Sequence, residues 1–315
     1  MMNGSIQKMN GNQGTALEPA LTASRHLVGM IFELTKIHLS LYIALSAVFG
    51  HVLAQNCFTM DSLGLGFFVL ILSVGSGVLN NIQDREFDTW FARTRNRCLV
   101  KKTIPLSMAG FMAIVFISTG LGGLFFCFPG IAPAGLGVLA VICYNGLYTP
   151  LKKRSLAAIV PGTLCGMLPP AIGWVSVPKG VAVSDATGLF IVMAVFGLWQ
   201  IPHFFIILIK QAPLDSKPFP YPCFTRIFSR KEIKCQVLIW TCLYSLGIFL
   251  FLINGWIFSF ALSLCLSVVG FGLPILMVLV LGWKRSIPYL GLDFLSINLS
   301  MLLFVGIGIL DRIMM

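Results

Sequence analysis

Charge is scarce in this chain. Of its 315 residues, 11 are Asp or Glu and four are His, and charged residues make up 10% of the total. An average soluble domain has about 25% charged residues and roughly half apolar ones. Here 57% of the residues are hydrophobic and the mean hydropathy is +0.91. This composition excludes an ordinary soluble domain and indicates an integral membrane protein.

Two patterns of exported, disulfide-linked proteins are also missing. The nine cysteines show no C-x-x-C spacing and mostly lie in apolar segments, so they are interpreted as small core residues of a reduced protein. Residues 1–24 do not follow the basic, apolar, small-residue order of a cleavable signal peptide. We expect residues 1–24 to form a disordered polar tail and residues 25–315 to form one membrane domain.

Long apolar segments dominate the rest of the chain. A helix needs about 20 residues to cross roughly 30 Å of hydrocarbon, and nine segments of suitable length follow one another. They lie near residues 34–55, 62–83, 104–126, 131–149, 156–178, 187–210, 235–254, 256–282 and 290–310. The sequence therefore predicts an all-α membrane protein with nine transmembrane helices.

The basic residues follow the orientation rule of membrane proteins. With nine spans, all 22 Lys and Arg residues except Lys179 and Arg312 fall on the N-terminal side of the membrane. Cytoplasmic loops carry such an excess of basic residues. We therefore expect the N-terminus and the basic loops to face the cytoplasm. The net charge of +11 is explained by this topology, and nucleic acid is not expected as a partner.

The remaining polar residues are concentrated in LNNIQDREFDTWFARTRNR at 79–97. Asn80, Asp84 and Asp88 are spaced by four, so they would share one face of a helix that continues the second span. Two carboxylates this close repel each other unless a cation lies between them. A small set of solvent-exposed oxygen ligands suits Mg²⁺, which takes its other ligands from water and phosphates.

Arginines complete this motif. Arg93 and Arg97 follow the acids, and planar guanidinium groups match phosphate oxygens bidentately. The stretch thus predicts a site for a magnesium diphosphate whose apolar tail lies in the bilayer. The alternative is a solvated loop that pairs with itself and with anionic lipid heads. Asn80 and Asn81 favour the site, because polar residues at the end of an apolar span are costly and usually functional.

The stretch resembles the signature of the UbiA superfamily of intramembrane prenyltransferases, N-x-x-x-D-x-x-x-D followed by R-T-x-x-R. The matching residues are Asn80, Asp84, Asp88, Arg93, Thr94 and Arg97. Within the superfamily, the chain is most similar to the protoheme IX farnesyltransferase (heme O synthase) branch. The segments that carry this similarity are ELTK at 33–36, NNIQDREFD at 80–88, RTRNR at 93–97, YTPLKKRS at 148–155, GMLPPAIGW at 166–174, WQIPHF at 199–204 and SINLSMLLFVGIGILD at 296–311.

The resemblance implies nine helices around a central cavity and a Mg²⁺-dependent reaction. A farnesyl group would pass from farnesyl diphosphate to a vinyl group of heme B (protoheme IX), giving heme O. Mg²⁺ is the implied cofactor, and farnesyl diphosphate and heme B are the implied substrates. The implied location is the bacterial cytoplasmic (inner) membrane. A heme A synthase or a terminal oxidase assembly is a candidate protein partner.

The resemblance also implies roles for individual residues. The catalytic candidates are Asn80, Asn81, Asp84, Asp88 and His203, of which Asp84, Asp88 and Asn80 would hold the metal. The candidates for substrate binding are Lys36, Arg93, Arg97, Lys153, Arg154, Asp215 and Trp199.

Several of these residues have a purely structural alternative. Lys36 could be a membrane-edge lysine that extends its ammonium to water. His203 could bond a carbonyl that Pro202 leaves free, and Trp199 could pack helices. Pro169 and Pro170 in the fifth span predict a broken helix that lines the pocket.

One segment departs from the family pattern. Superfamily members usually carry a second Asp-rich motif after the sixth span, but KQAPLDSKPFPYPCF at 210–224 offers only Asp215. An aromatic or quinone-precursor acceptor therefore stays open as an alternative to heme. A non-enzymatic transporter or heme-handling protein is a third possibility. WQIPHF and GMLPPAIGW favour the heme acceptor, and the position of the carboxylates at one membrane face argues against a transporter.

Overall fold

The computed structural model describes residues 29–178, 186–210, 228–282 and 291–315, with side chains described to residue 207 in the second of these ranges. All regular elements in these residues are helical. Nine helical segments there are long and apolar enough to cross a membrane, and the fourth of them, Ala132–Leu151, combines two α-helices with a π-helix. The predicted fold class, an all-α protein with nine transmembrane helices, is confirmed. The predicted tail at 1–24, Lys179, and Asp215 with the loop at 211–224 lie outside the described residues.

The helices closely follow the predicted spans. In chain order they are α1 (29–35), α2 (Ile37–Gln55), α3 (Met60–Asp84), α4 (Leu106–Cys127), α5 (Ala132–Val141), α6 (Thr149–Leu151), α7 (Ile159–Val175), α8 (Ala186–Lys210), α9 (Arg230–Ile253), α10 (Phe260–Gly282) and α11 (Leu292–Ile313). Short 3₁₀ helices occupy Phe87–Trp90 and Leu156–Ala158, and a π-helix occupies Ile142–Tyr148. The seventh span starts at Arg230, earlier than predicted. Its start is fixed by a capping box between Ser229 and Glu232.

The predicted break in the fifth span is wrong. α7 runs without interruption through Pro169 and Pro170, both of which are buried. It packs against α2 at backbone contact: a Cβ on Gly173 would lie 1.9 Å from the Ala47 carbonyl oxygen, and one on Gly50 would lie 2.0 Å from the Pro170 oxygen. Carbonyls that proline leaves without a helical donor are tolerated where protein covers them. The two prolines therefore lie in a helix–helix contact and do not break the helix.

The interruption lies instead in the fourth span. α5 passes into the π-helix at Ile142 and then into α6, whose Pro150 has no N–H to donate. Single π-helical turns inside α-helices are rare and frequently occur at functional sites. This one places residues 145–153 beside the C-terminal end of α3.

A cluster of phenylalanine rings and a buried ion pair connect the helices away from the C-terminal end of α3. Phe49, Phe251 and Phe304 pack with ring centroids 4.9 to 6.4 Å apart and join α2, α9 and α11. At the C-terminal end of α11, Asp311 accepts hydrogen bonds from two backbone N–H groups just before α10. The neighbouring Arg312 is ion-paired with Asp311 and donates to the Asn56 side chain and a backbone carbonyl.

Candidate active site

The last turns of α3 carry the polar residues of the candidate site. Asn80 is buried in the helix interface, where its Nδ2 donates to Thr149 Oγ1 at 2.8 Å. Its Oδ1 accepts a hydrogen bond from Lys36 Nζ. Asn80 thus joins a cation from the start of α2 to the segment that follows the π-helix.

Asp84 ends α3 and is almost fully buried. Lys152 Nζ is ion-paired with its Oδ2, and Lys153 Nζ lies 3.1 Å from its Oδ1. The Lys153 contact does not have hydrogen-bond geometry, so Oδ1 accepts no hydrogen bond although it is buried. Buried carboxylate oxygens nearly always have a hydrogen-bond partner. Mg²⁺ bound at Oδ1 would replace the Lys153 ammonium as the cation in contact with this oxygen.

Asp88 lies in a different secondary-structure element from the one predicted. The expected continuous helix over Asn80, Asp84 and Asp88 is wrong, because α3 ends at Asp84 and Asp88 lies in the following 3₁₀ helix. The chain then returns on itself: Thr94 Oγ1 donates to the Asp88 carbonyl at 2.9 Å, and Arg97 Nη1 lies 2.6 Å from Asp88 Oδ2. The contact with Arg97 depends on this return of the loop.

Asn81 faces away from Asn80. Its Nδ2 donates to the Leu34 carbonyl at 2.8 Å, and its Oδ1 accepts a weaker contact from Arg97 at 3.4 Å. Consecutive helical residues are about 100° apart around the axis, so the two asparagines cannot share a face. The Leu34 carbonyl belongs to the last turn of α1, whose carbonyls lack helical donors. These contacts give Asn81 a positioning role.

Lys36 separates α1 from α2 in a left-handed conformation, with φ 49° and ψ 40°. Such a conformation costs a non-glycine residue about 1 to 2 kcal/mol and is a common feature of functional sites. Burial lowers the pKa of Lys36 to about 7, with further contributions from the positive charges of Lys152 and Arg97. The negative charges of Asp84 and Asp88 act in the opposite direction and raise this pKa.

The structure brings together some of the predicted phosphate-binding residues and leaves others apart. Lys36, Arg97 and Lys153 join the carboxylates, whereas Arg93 and Arg154 are exposed on their loops. Lys152 was not predicted, although it makes the direct contact with Asp84. No signal in the sequence separates Lys152 from the neighbouring Lys153 and Arg154, because its contact with Asp84 depends on how the π-helix orients this segment.

Three cations contact the two carboxylates, and a fourth, Lys36, contacts the neighbouring Asn80. Lys36, Arg97, Lys152 and Lys153 contribute four positive charges against the two negative charges of Asp84 and Asp88 when all ionise. Among the described residues, no group of three or more His, Cys, Asp or Glu side chains could hold a metal ion. A divalent ion at the two carboxylates would therefore need oxygen ligands from a bound anion. The geometry fits a metal–diphosphate pair better than a free metal ion.

His203 and Trp199 form a second group, on α8. Trp199 Nε1 donates to the Ile297 carbonyl at 2.8 Å, which fixes the indole against α11. The His203 ring lies between Trp199 and Phe294, with centroids 4.9 and 5.1 Å away. Its Nδ1 is buried and has no hydrogen-bond partner. The predicted use of His203 to rescue a carbonyl beside Pro202 therefore does not involve Nδ1.

Residues 42–292 match the model of the UbiA prenyltransferase family. The chain belongs to this family. The resemblance noted in the sequence motifs is thus confirmed over most of the chain, and with it the enzyme class, prenyltransferase. The family match also agrees with the finding that the chain is a multi-pass membrane protein.

Curated relatives of the chain carry the name protoheme IX farnesyltransferase. A protoheme IX farnesyltransferase from Oleidesulfovibrio alaskensis is 26% identical over 279 residues, which cover 86% of this chain and 92% of that protein. Another, from Geobacter sulfurreducens, is 33% identical over 202 residues, which cover 64% of this chain and 73% of that protein.

Solved structures confirm the fold. A UbiA homolog from Aeropyrum pernix K1 aligns with a TM-score of 0.67 at 17% identity, covering 87% of this chain and 98% of that one. A UbiA homolog from Archaeoglobus fulgidus, bound to GPP and Mg²⁺, aligns with a TM-score of 0.65 at 13% identity, covering 90% and 99%.

Proposed function

We propose that this UbiA-family chain transfers the farnesyl group of farnesyl diphosphate to a vinyl group of heme B, giving heme O. The observation that carries the proposal is the pair of buried carboxylates, Asp84 and Asp88, ion-paired with three cations, while a fourth cation, Lys36, is bonded to Asn80. The acceptor is inferred from relatives named protoheme IX farnesyltransferase that align with most of the chain. The Archaeoglobus homolog bound to GPP and Mg²⁺ supports a prenyl diphosphate as the donor.

Asp84 and Asp88 would hold Mg²⁺, with Asn80 beside them. Oδ1 of Asp84 supports this assignment, since it is a buried acceptor that is ion-paired with Lys153 but accepts no hydrogen bond. When bound, Mg²⁺ supplies charge neutralisation of the departing diphosphate. The carboxylates hold the diphosphate end at the edge of the membrane, and the farnesyl chain extends between the apolar helices.

The cations stabilise the charge that develops on the leaving diphosphate. Lys36, Lys152, Lys153 and Arg97 are positioned beside the carboxylates by hydrogen bonds or ion pairs with α3 or the 3₁₀ helix that follows it. Donors fixed around a developing negative charge usually make the largest contribution to catalysis. Lys152 has to exchange Asp84 for a phosphate oxygen when the substrate arrives. Arg93 and Arg154, which are exposed, are proposed as more distant contributors to attraction of the diphosphate.

His203 is proposed to act on the acceptor. Trp199 and Phe294 flank its ring, and such aromatic faces suit contact with a flat porphyrin. Capture of the farnesyl cation by the vinyl group leaves a new cation, which water quenches with loss of a proton. The unpartnered Nδ1 of His203 is available to accept that proton.

The proposed location is the bacterial inner membrane, with the N-terminus and the basic loops in the cytoplasm, as the distribution of Lys and Arg predicts. The diphosphate site then opens toward the compartment that contains soluble farnesyl diphosphate and Mg²⁺. A heme A synthase or a terminal oxidase assembly is proposed as the partner that receives heme O.

The test uses the purified full chain in lipid nanodiscs with farnesyl diphosphate and heme B, with and without Mg²⁺. Mass spectrometry should show heme B gaining one farnesyl group and one hydroxyl group only when Mg²⁺ is present. Asp84→Asn should remove this product while the protein stays folded. Unchanged heme B in every reaction, with a quinone-precursor aromatic acid prenylated instead, would overturn the assignment of the acceptor.

A further inference from the structure

Asn145 forms an unusual junction between the π-helix and α3. It is buried, its Oδ1 accepts a hydrogen bond from Ser76 Oγ, and its Nδ2 lies 3.0 Å from the Ser76 carbonyl. The same Nδ2 lies 3.2 Å from Gln83 Oε1, and the Asn145 carbonyl accepts from Gln83 Nε2 at 2.9 Å. Side chain and backbone of one residue are thus bonded to two residues that lie two turns apart on α3.

The contacts continue toward the carboxylates. After Asn145, Thr149 Oγ1 meets Asn80, and Lys152 meets Asp84. Thr149 also donates to the Tyr144 carbonyl at 2.8 Å, inside the π-helix. The segment from the π-helix to Lys152 therefore follows one face of α3, and Asn145 is the first contact in the series.

The π-helix determines where the later contacts fall. A π-helical turn accommodates one residue more than an α-helical turn. Replacing it with a regular α-turn would rotate all later residues by about 100° and shift them by about 1.5 Å. Thr149 and Lys152 would then no longer face Asn80 and Asp84. π-helical turns are rare, and the bonds from Ser76 and Gln83 tie this one to α3 at Asn145.

We infer that Asn145 and Gln83 are positioning residues: together they keep the π-helix in register with α3, so that Lys152 reaches the metal-binding carboxylate. Neither residue touches the reacting atoms. The inference rests on the proposed prenyl transfer for the role of the site, but it concerns the geometry of the diphosphate end alone. It therefore predicts an effect on the diphosphate substrate and none on the acceptor.

The test compares Asn145→Leu, Gln83→Leu and the double variant. Gln83 is exposed, so Gln83→Leu remains informative if Asn145→Leu fails to fold. Ser300→Ala is the control for loss of a buried hydrogen bond elsewhere, because Ser300 lies on α11 and contacts Tyr244. Each protein is measured for farnesyl transfer, for binding of inorganic pyrophosphate with Mg²⁺, and for thermal stability.

Each single variant should lower kcat/KM for farnesyl diphosphate by roughly 100-fold, the loss expected when reacting groups move by about 1 Å. KM for heme B should stay unchanged. The double variant should have a kcat/KM for farnesyl diphosphate no lower than that of the more impaired single variant, because both substitutions remove the same hydrogen bonds between Asn145 and Gln83. Binding of Mg²⁺-pyrophosphate should weaken in all three and stay normal in Ser300→Ala.

Different failures have different meanings. If the variants bind Mg²⁺-pyrophosphate as the wild type does, the inference is wrong whatever reaction the enzyme performs. The inference is also wrong if KM for heme B rises as much as KM for farnesyl diphosphate. It is wrong as well if the loss of activity in each variant, including the control Ser300→Ala, simply follows the loss in melting temperature. A third outcome is possible: the wild type makes no heme O, yet it binds Mg²⁺-pyrophosphate, and the variants at Asn145 and Gln83 lose this binding. In that case the inference stands and the proposed acceptor is wrong.

Discussion

Replacing Lys152 should have opposite effects on two ligands. In the structure, the Lys152 ammonium is ion-paired with Asp84 and lies over the Tyr148 ring, 5.4 Å from its centroid. In the proposed reaction it transfers to the diphosphate. Lys152→Met keeps most of the length of the side chain but removes its charge. The variant should therefore bind Mg²⁺ alone more tightly and Mg²⁺-pyrophosphate more weakly than the wild type.

The size of each effect follows from the contact. A hydrogen bond to a charged group contributes about 1.5 to 3 kcal/mol, so losing one to the diphosphate should weaken Mg²⁺-pyrophosphate binding roughly 30-fold at 1.4 kcal/mol per factor of ten. Two unit charges at 4 Å attract by about 4 kcal/mol at an effective dielectric constant of 20. Solvent reaches 21% of the Lys152 side chain and desolvation offsets part of this attraction. We expect Mg²⁺ alone to bind about fivefold more tightly, which corresponds to about 1 kcal/mol.

Isothermal titration of the purified proteins measures both affinities. Lys101→Met is the matched control, because Lys101 is an exposed lysine in a different loop, between α3 and α4. It should leave both affinities unchanged. If Lys152→Met weakened the binding of Mg²⁺ alone and of Mg²⁺-pyrophosphate equally, the reasoning would be refuted. Lys152 would then support the fold of the site and would not compete with the metal for Asp84.

Other predictions concern the acceptor and the fold. His203→Ala should raise KM for heme B more than KM for farnesyl diphosphate in steady-state assays, and equal increases would indicate a structural role. Arg312→Met should lower the melting temperature in detergent, because breaking a buried ion pair typically costs about 3 to 5 kcal/mol; an unchanged value would show that the pair is not needed. Gly173→Ala should prevent stable expression, since its Cβ would meet the Ala47 carbonyl at 1.9 Å. The control Gly272→Ala meets nothing within 4 Å and should express normally.

The global fold was predictable because hydropathy acts on whole spans. A chain in a bilayer has to satisfy its backbone hydrogen bonds within each helix, so a long apolar run has few alternatives to a transmembrane helix. All nine predicted spans appear among the described residues. The start of α9 at Arg230 differs because hydropathy ignores the local capping box formed by Ser229 and Glu232.

The detailed geometry depended on contacts that sequence spacing does not reveal. Spacing by four suggested a continuous helix through Asp88, but the return of Arg97 onto Asp88 accompanies a 3₁₀ turn. The pair Pro169–Pro170 suggested a break, but packing on α2 keeps α7 continuous. The break in the fourth span could not be predicted, because the bonds of Asn145 to α3 join residues more than 60 positions apart.

In the candidate site, too, the sequence predicted some residues, and others depended on contacts that only the structure shows. Composition and spacing identified Asn80, Asp84 and Asp88, because acids and amides at the end of an apolar span are costly. They did not distinguish Lys152, which contacts Asp84, from the exposed Arg154 two residues later. That distinction depends on the π-helix, whose extra residue changes the direction in which later side chains point.

The most direct measurement of the central claim is the heme content of membranes. Bacterial cells that lack their own heme farnesyltransferase would express either this chain or its Asp84→Asn variant at equal levels, and extracted hemes would be separated and weighed by mass spectrometry. The account predicts heme O with the intact chain and heme B alone with the variant. Heme B alone from both, with the intact protein well expressed, would contradict the proposed acceptor, and heme O from both would contradict the role of Asp84.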